Sequence, residues 1–105
     1  MQRPLQITFR HMQPSTAVRK RVLEHVAHLE RFHGRITGCH VVVEAPPGNQ
    51  RNGAPFDVKI DLTTPGHEIH VRSERAARES HQDVYVALRD AFDSAKRQLR
   101  DGHTS

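Results

Sequence analysis

The residues of this chain that could do chemistry are its histidines and its cations. His25 and His28 stand three apart, and so do His67 and His70. A three-residue step on a helix keeps two imidazoles on one face, where they can share a metal ion. On a strand the same step sends them to opposite faces. No carboxylate or thiol completes either pair at a spacing typical of a metal site, so no metal is expected. The single cysteine, Cys39, has no internal disulfide partner and lies against a Val-rich run, which reads as a small buried hydrophobe rather than a nucleophile. The sequence contains no glycine-rich phosphate loop, nucleophile elbow or close pair of acids. Neither catalysis nor a cofactor is expected.

The cations are more informative. Lys and Arg total 16 against 12 Asp and Glu, a formal charge of +4 with His neutral. Three of the 16 are Lys and the remainder Arg. A planar guanidinium suits bidentate contact with phosphate, so the bias points to an anionic partner. No apolar run approaches the length of a membrane span and no signal segment opens the chain. A cytoplasmic protein with no membrane contact is expected.

The elements that must position these side chains follow from periodicity. "LQITFRH" alternates Leu5, Ile7 and Phe9 with polar residues, the period of a half-buried strand. Pro14 and Ser15 open a helix with Ser15 as N-cap. Val18, Val22, Val26 and Leu29 share a narrow arc, Phe32 lies at its edge, and Gly34 is placed to end the helix. "TGCHVVVEA" is a second strand stopped by Pro46 and Pro47, followed by a turn or hairpin tip at Asn52-Gly53. "FDVKIDLTT" turns Phe56, Val58, Ile60 and Leu62 to one side. After Pro65-Gly66, "HEIHVR" returns with Ile69 and Val71 inward. "SERAARESHQ" lacks an apolar stripe and reads as a loop or short helical extension. "DVYVALRDAFDSAKRQLR" is a second helix with Val84, Leu88, Ala91, Phe92, Ala95 and Leu99 on one side.

The expected fold is therefore α+β, a two-layer β-α-β-β-β-α sandwich. Its four-stranded sheet carries both helices on one face, the last three strands form an antiparallel meander, and the first helix is a crossover. Residues 1–105 are expected to make a single domain, with 101–105 a frayed tail. The open sheet face would carry Gln6, Thr8, Arg10, His40, Val42, Glu44, Asp57, Lys59, Asp61, Glu68, His70 and Arg72. Its charges are mixed and it has no aromatic platform for bases, so it reads as a solvated surface.

The helices differ from that face. Arg89, Lys96, Arg97 and Arg100 lie opposite the apolar side of the second helix, diluted by Asp90 and Asp93. Lys20, Arg21, His25, His28 and Arg31 lie on or beside the outer face of the first. Packed side by side, these nine residues would border one groove, an electrostatic track for an RNA backbone. The charge pattern alone fits a solvated face equally well, laced by i,i+4 pairs such as Arg89–Asp93.

The second helix, with "LQIT", "AVRKRV", "LERF", "RITGCHVVVE" and "GHEIHVRS", resembles the ribosome hibernation-promoting factor family. That family includes the ribosome-associated translation inhibitors, also described as sigma-factor modulation proteins. The resemblance spans roughly residues 5–100 and has the same order of elements. It implies a protein that binds the small ribosomal subunit in the decoding channel through ribosomal RNA. There it would block mRNA and tRNA and preserve idle ribosomes under stress. Arg31 and Arg97 keep the family's basic character by position. His25 and His28 stand where Arg or Lys is common, and Ser94 and Asp101 where Lys is common. Arg89, Lys96 and Arg100 are placed to compensate. The "SERAARESHQ" segment is longer than the family's usual connection, and its Arg75 and Arg78 are candidate extra contacts. The dimerisation domain that follows in long members is not expected here.

Should His25 and His28 face phosphate, RNA affinity is expected to rise between about pH 7.5 and pH 6. Two other classes of function stay open. One is a non-catalytic protein-interaction regulator of a transcription or stress factor, acting through the mixed-charge sheet face. The other is a small metal- or His-dependent enzyme, detectable by bound metal.

Overall fold

The structure, a computed structural model, describes residues 5–46, 55–73 and 83–101. The elements run β1 (Gln6–Arg10), α1 (Thr16–Phe32), β2 (Gly38–Glu44), β3 (Asp57–Thr64), β4 (His67–Arg72) and α2 (Val84–Arg100). The strands lie in the order β1-β2-β3-β4. β1 and β2 are parallel, a pairing that needs a crossover, and α1 supplies it. β2, β3 and β4 pair antiparallel through short connections. The α+β architecture and its meander are those expected from the sequence.

Register fixes which side chains meet the helices. Ile7, Val41, Ile60 and Val71 form one row across the sheet, and Cys39, Leu62 and Ile69 form another. Apart from Ile7, which is partly buried, every member of these rows is buried. Sliding one strand by a residue would turn its whole apolar set to solvent, so burial locks the register. From above, α1 contributes Val18, Val22, Val26 and Leu29, and α2 contributes Leu88, Ala91, Phe92, Ala95 and Leu99. Cys39 belongs to this core, and burial pushes its thiol up to about 12. The protonated thiol is a poor nucleophile, as its place in an apolar run suggests.

Both helices begin on a side-chain cap. Ser15 Oγ accepts from the Val18 amide at 3.2 Å, and the Asp83 carboxylate accepts from the Tyr85 amide at 2.9 Å. The exit from α1 differs from the expectation that Gly34 would end it. The chain leaves at His33, in an extended conformation, with the His33 amide donating to the Leu29 carbonyl at 2.7 Å. An extended exit needs no left-handed residue, and a Cβ at Gly34 would meet nothing within 4 Å. Among the described residues the glycine with positive φ is Gly66, whose φ of 82° makes the β3–β4 turn. Asp101, expected in the tail, caps α2 by donating its amide to the Arg97 carbonyl, and residues 102–105 fall outside the described residues. The Asn52-Gly53 tip and residues 74–82 of the polar connection fall outside the described residues.

Candidate nucleic-acid interface

α1 and α2 touch each other over the sheet, and side chains from their adjoining flanks meet along a line, the groove. At about 100° per residue, Arg21, His25, His28 and Phe32 fall on one flank of α1. Tyr85, Arg89, Phe92, Lys96 and Arg100 fall on the facing flank of α2. The contacts across the groove alternate cation and ring. The Arg21 guanidinium sits 4.8 Å from the Tyr85 ring centroid. The His25 imidazole stacks on Phe92 at 4.7 Å, nearly coplanar at 9°. The Lys96 ammonium lies 4.9 Å from the Phe32 centroid and 3.3 Å from His28 Nε2. Each cation–ring contact at such an exposed site stabilises by about 0.5–1 kcal/mol.

The nine residues singled out in the sequence divide by position. Arg21, His25, His28 and Lys96 meet across the groove. Arg89 and Arg100 share the α2 flank, each exposed and turned to a neighbouring carboxylate, Asp90 at 3.2 Å and Asp101 at 3.3 Å. Arg89 thus pairs with Asp90 rather than with Asp93. Lys20 and Arg31 are exposed, about 200–220° around α1 from Val18, on its outer surface beyond the groove. Arg97 is exposed, about 200° around α2 from buried Ala95, and donates to Ser94 Oγ at 3.1 Å. One groove therefore does not contain all nine. Four meet in it, two stand along its rim, and three lie outside it on the helix layer.

His25 departs furthest from its expected part. Burial of the ring lowers its pKa below the ordinary 6.5, and the nearby Arg21 charge lowers it further, with Asp93 and Glu24 partly opposing. The ring is half-buried and its charged form is disfavoured, so it gains less charge between pH 7.5 and 6 than an exposed histidine would. The residues that sequence reasoning missed are the rings. Phe92 reads as core, and Tyr85 and Phe32 carry no charge signal. Their pairing with cations of another helix depends on how the two helices are rotated, which periodicity within one element does not report.

On the opposite face of the sheet the histidines meet carboxylates or a hydroxyl. His70 Nδ1 lies 2.6 Å from Asp61 Oδ1, and its Nε2 lies 3.4 Å from Glu68. These carboxylates, Asp61 by its hydrogen bond above all, raise the His70 pKa. His40 Nε2 is 2.8 Å from Thr8 Oγ1, and His11 lies 3.4 Å from Glu44. Val42, expected on this face, is buried to 6 % exposure in register between Thr8 and Lys59. Among the described residues, no group of three or more His, Cys, Asp or Glu side chains could hold a metal ion. Nor is any helix among them long and apolar enough to cross a membrane.

Comparison with solved structures finds the same fold in a ribosomal subunit interface protein from Coxiella burnetii. The TM-score is 0.73 and the identity 18 %, over 92 % of this chain and 93 % of that one. The N-terminal domain of Thermus thermophilus Protein Y matches with a TM-score of 0.70 and 22 % identity, over 93 % of this chain and 96 % of that one. Comparison with curated proteins gives no significant match. The model of the family described as Sigma 54 modulation protein / S30EA ribosomal protein matches residues 5–104, and the chain belongs to that family.

Proposed function

We propose that this protein is a ribosome-associated translation inhibitor that occupies the decoding channel of the small subunit. Its helix layer would face ribosomal RNA, deny the channel to mRNA and tRNA, and hold idle ribosomes in hibernation. Family membership indicates a ribosome-associated protein. The two structural relatives, one titled a ribosomal subunit interface protein and the other a Protein Y domain, share its fold. The observation that carries the finer reading is the groove. Cations from two helices are braced on aromatic rings along one line, while the histidines at the sheet face meet carboxylates.

The action is occlusion and needs no chemistry at the groove. Arg21 and Lys96 would contact phosphates first, with Arg89 and Arg100 exchanging their carboxylate neighbours for phosphate. Lys20, Arg31 and Arg97 would extend the contact over the outer helix surface. His28 shares the groove with Lys96, and His25 supports the groove floor as a half-buried ring. The partners are the small subunit and its RNA, which places the protein in the cytoplasm. Residues 1–105 act as one ribosome-binding domain, without a metal or cofactor.

Binding of a labelled mRNA to purified small subunits, with and without prebound protein, tests this reading. The expected result is a loss of mRNA binding that added salt reverses, because release of counterions drives phosphate contacts. Each lost contact should flatten the log–log salt slope by about one unit. Simultaneous binding of mRNA and protein to one subunit would contradict occlusion.

A further inference from the structure

The Lys96–His28 contact carries more information than proximity. A lysine ammonium has only donors, so the 3.3 Å approach of Lys96 Nζ makes His28 Nε2 an acceptor. While that bond is made, Nε2 carries no proton. On its other side the ammonium meets the Phe32 ring at 4.9 Å. Neither contact neutralises the lysine charge. We propose that His28 and Lys96 form a proton-linked phosphate site bridging α1 and α2, filled by an RNA phosphate when His28 Nε2 takes up a proton from solvent. The proposal rests on reading the groove as an RNA interface and adds how one part of it is regulated.

The surroundings favour coupling between proton and anion. On its own helix His28 is flanked, three or four residues away, by Glu24, His25 and Arg31. From α2 the charged groups on the facing flank are Lys96, Arg89, Asp93 and Arg100. Glu24 is engaged by Arg21 at 3.4 Å. Asp93 acts on His25, where its charge favours the protonated form. The sheet lies behind the helices, and both His28 and Lys96 are on their solvent side. In the empty groove, protonating Nε2 would abolish its bond to Lys96 and set two cations side by side. With a phosphate between them, Nε2–H and Nζ–H each donate to a separate phosphate oxygen, and the same two charges become favourable. His25 does not share this role, because its ring is stacked on Phe92 and half-buried.

The test measures affinity for purified small ribosomal subunits at constant ionic strength, from about pH 8 to about pH 6, where imidazoles titrate. Wild type is compared with His28→Gln and His28→Lys. A glutamine keeps an acceptor for Lys96 but cannot titrate, and a lysine carries a fixed charge. One linked proton changes affinity by at most about tenfold per pH unit. Wild type is expected to tighten by about three- to tenfold over this range. Relative to it, H28Q should be flat and weak, and H28K flat and tight. The subunit's own pH response is common to all three and cancels in their ratios. Calorimetry in two buffers of different ionisation heat should also register proton uptake by wild type that H28Q lacks. If H28Q follows the wild-type pH profile, the proton linkage is overturned while the groove reading stands. If wild type shows no salt-sensitive binding at any pH, the groove reading fails and takes the linkage with it.

Discussion

The groove and the open sheet face both display histidine and charge, yet they dispose of them in opposite ways. In the groove, His25 is pressed onto Phe92 and its charge is discouraged by burial. On the sheet, exposed His70 stands between Asp61 and Glu68 and its charge is encouraged. The cations follow the same division. Arg21 and Lys96 rest on ring faces, which hold a charge without neutralising it, and Arg21 also pairs with Glu24 at 3.4 Å. The sheet instead meets His70 with carboxylates, Asp61 opposite it on β3 and Glu68 two residues before it on β4. Residue type alone therefore does not mark a binding surface. What distinguishes the groove is that cations from two helices are drawn onto aromatic rings along one seam.

The most severe way to break this contrast is to remove the ring beneath His25. Phe92→Ala deletes a buried aromatic shared by the core and the groove floor, and should cost about 3–5 kcal/mol in denaturant unfolding. In the folded fraction, His25 should titrate closer to 6.5 once its stacking partner is gone. A smaller effect is expected from the Arg21–Tyr85 contact. A double-mutant cycle with Arg21→Met and Tyr85→Leu should return a coupling of about 0.5–1 kcal/mol. Additive single effects would mean that the ring does not hold the guanidinium.

The mildest perturbation is proton titration, followed by NMR of the imidazole carbons. His25 should titrate below 6.5 and His70 above it. The consequences for stability have opposite signs. Below pH 6.5 the unfolded chain protonates at position 25 before the folded one does, so stability falls as pH drops through that window. His70 contributes stability fully present below 6.5 and lost as pH rises through its folded value. His25→Phe should remove the acid-side loss and His70→Asn the alkaline-side one. The second should be the smaller, because the exposed ion pairs of His70 are screened by solvent.

Much of the scaffold was legible from local pattern. Alternation placed Val58, Ile60 and Leu62 on one side of β3, and "PST" announced the Ser15 cap. The short turn at Pro65-Gly66 implied an antiparallel return. Each of these signals is carried within one element and its immediate connection. The groove was legible only in part, because charge placement along α1 and α2 says nothing of which flanks meet. That rotation is set by core packing of Val22, Val26, Leu88 and Phe92. It brings Arg21 to Tyr85 and His28 to Lys96 while turning Lys20, Arg31 and Arg97 outward. His25 was misjudged for the same reason, since its charge state depends on a ring 67 residues away in the chain. Gly34 was misjudged because an extended exit at His33 serves as well as a left-handed one.

The central claim is that the groove, and not the sheet face, meets ribosomal RNA. It is tested most directly by charge reversal on each side in turn, read by co-sedimentation with purified small ribosomal subunits at low salt. Arg21→Glu with Lys96→Glu reverses two groove cations. Lys59→Glu with Arg72→Glu reverses the two cations that face each other across β3 and β4. Both pairs are exposed or half-buried and both variants should fold. The account predicts that the groove variant leaves the subunit fraction while the sheet variant stays with it at the wild-type level. Retention of the groove variant, or equal loss of both, would contradict it.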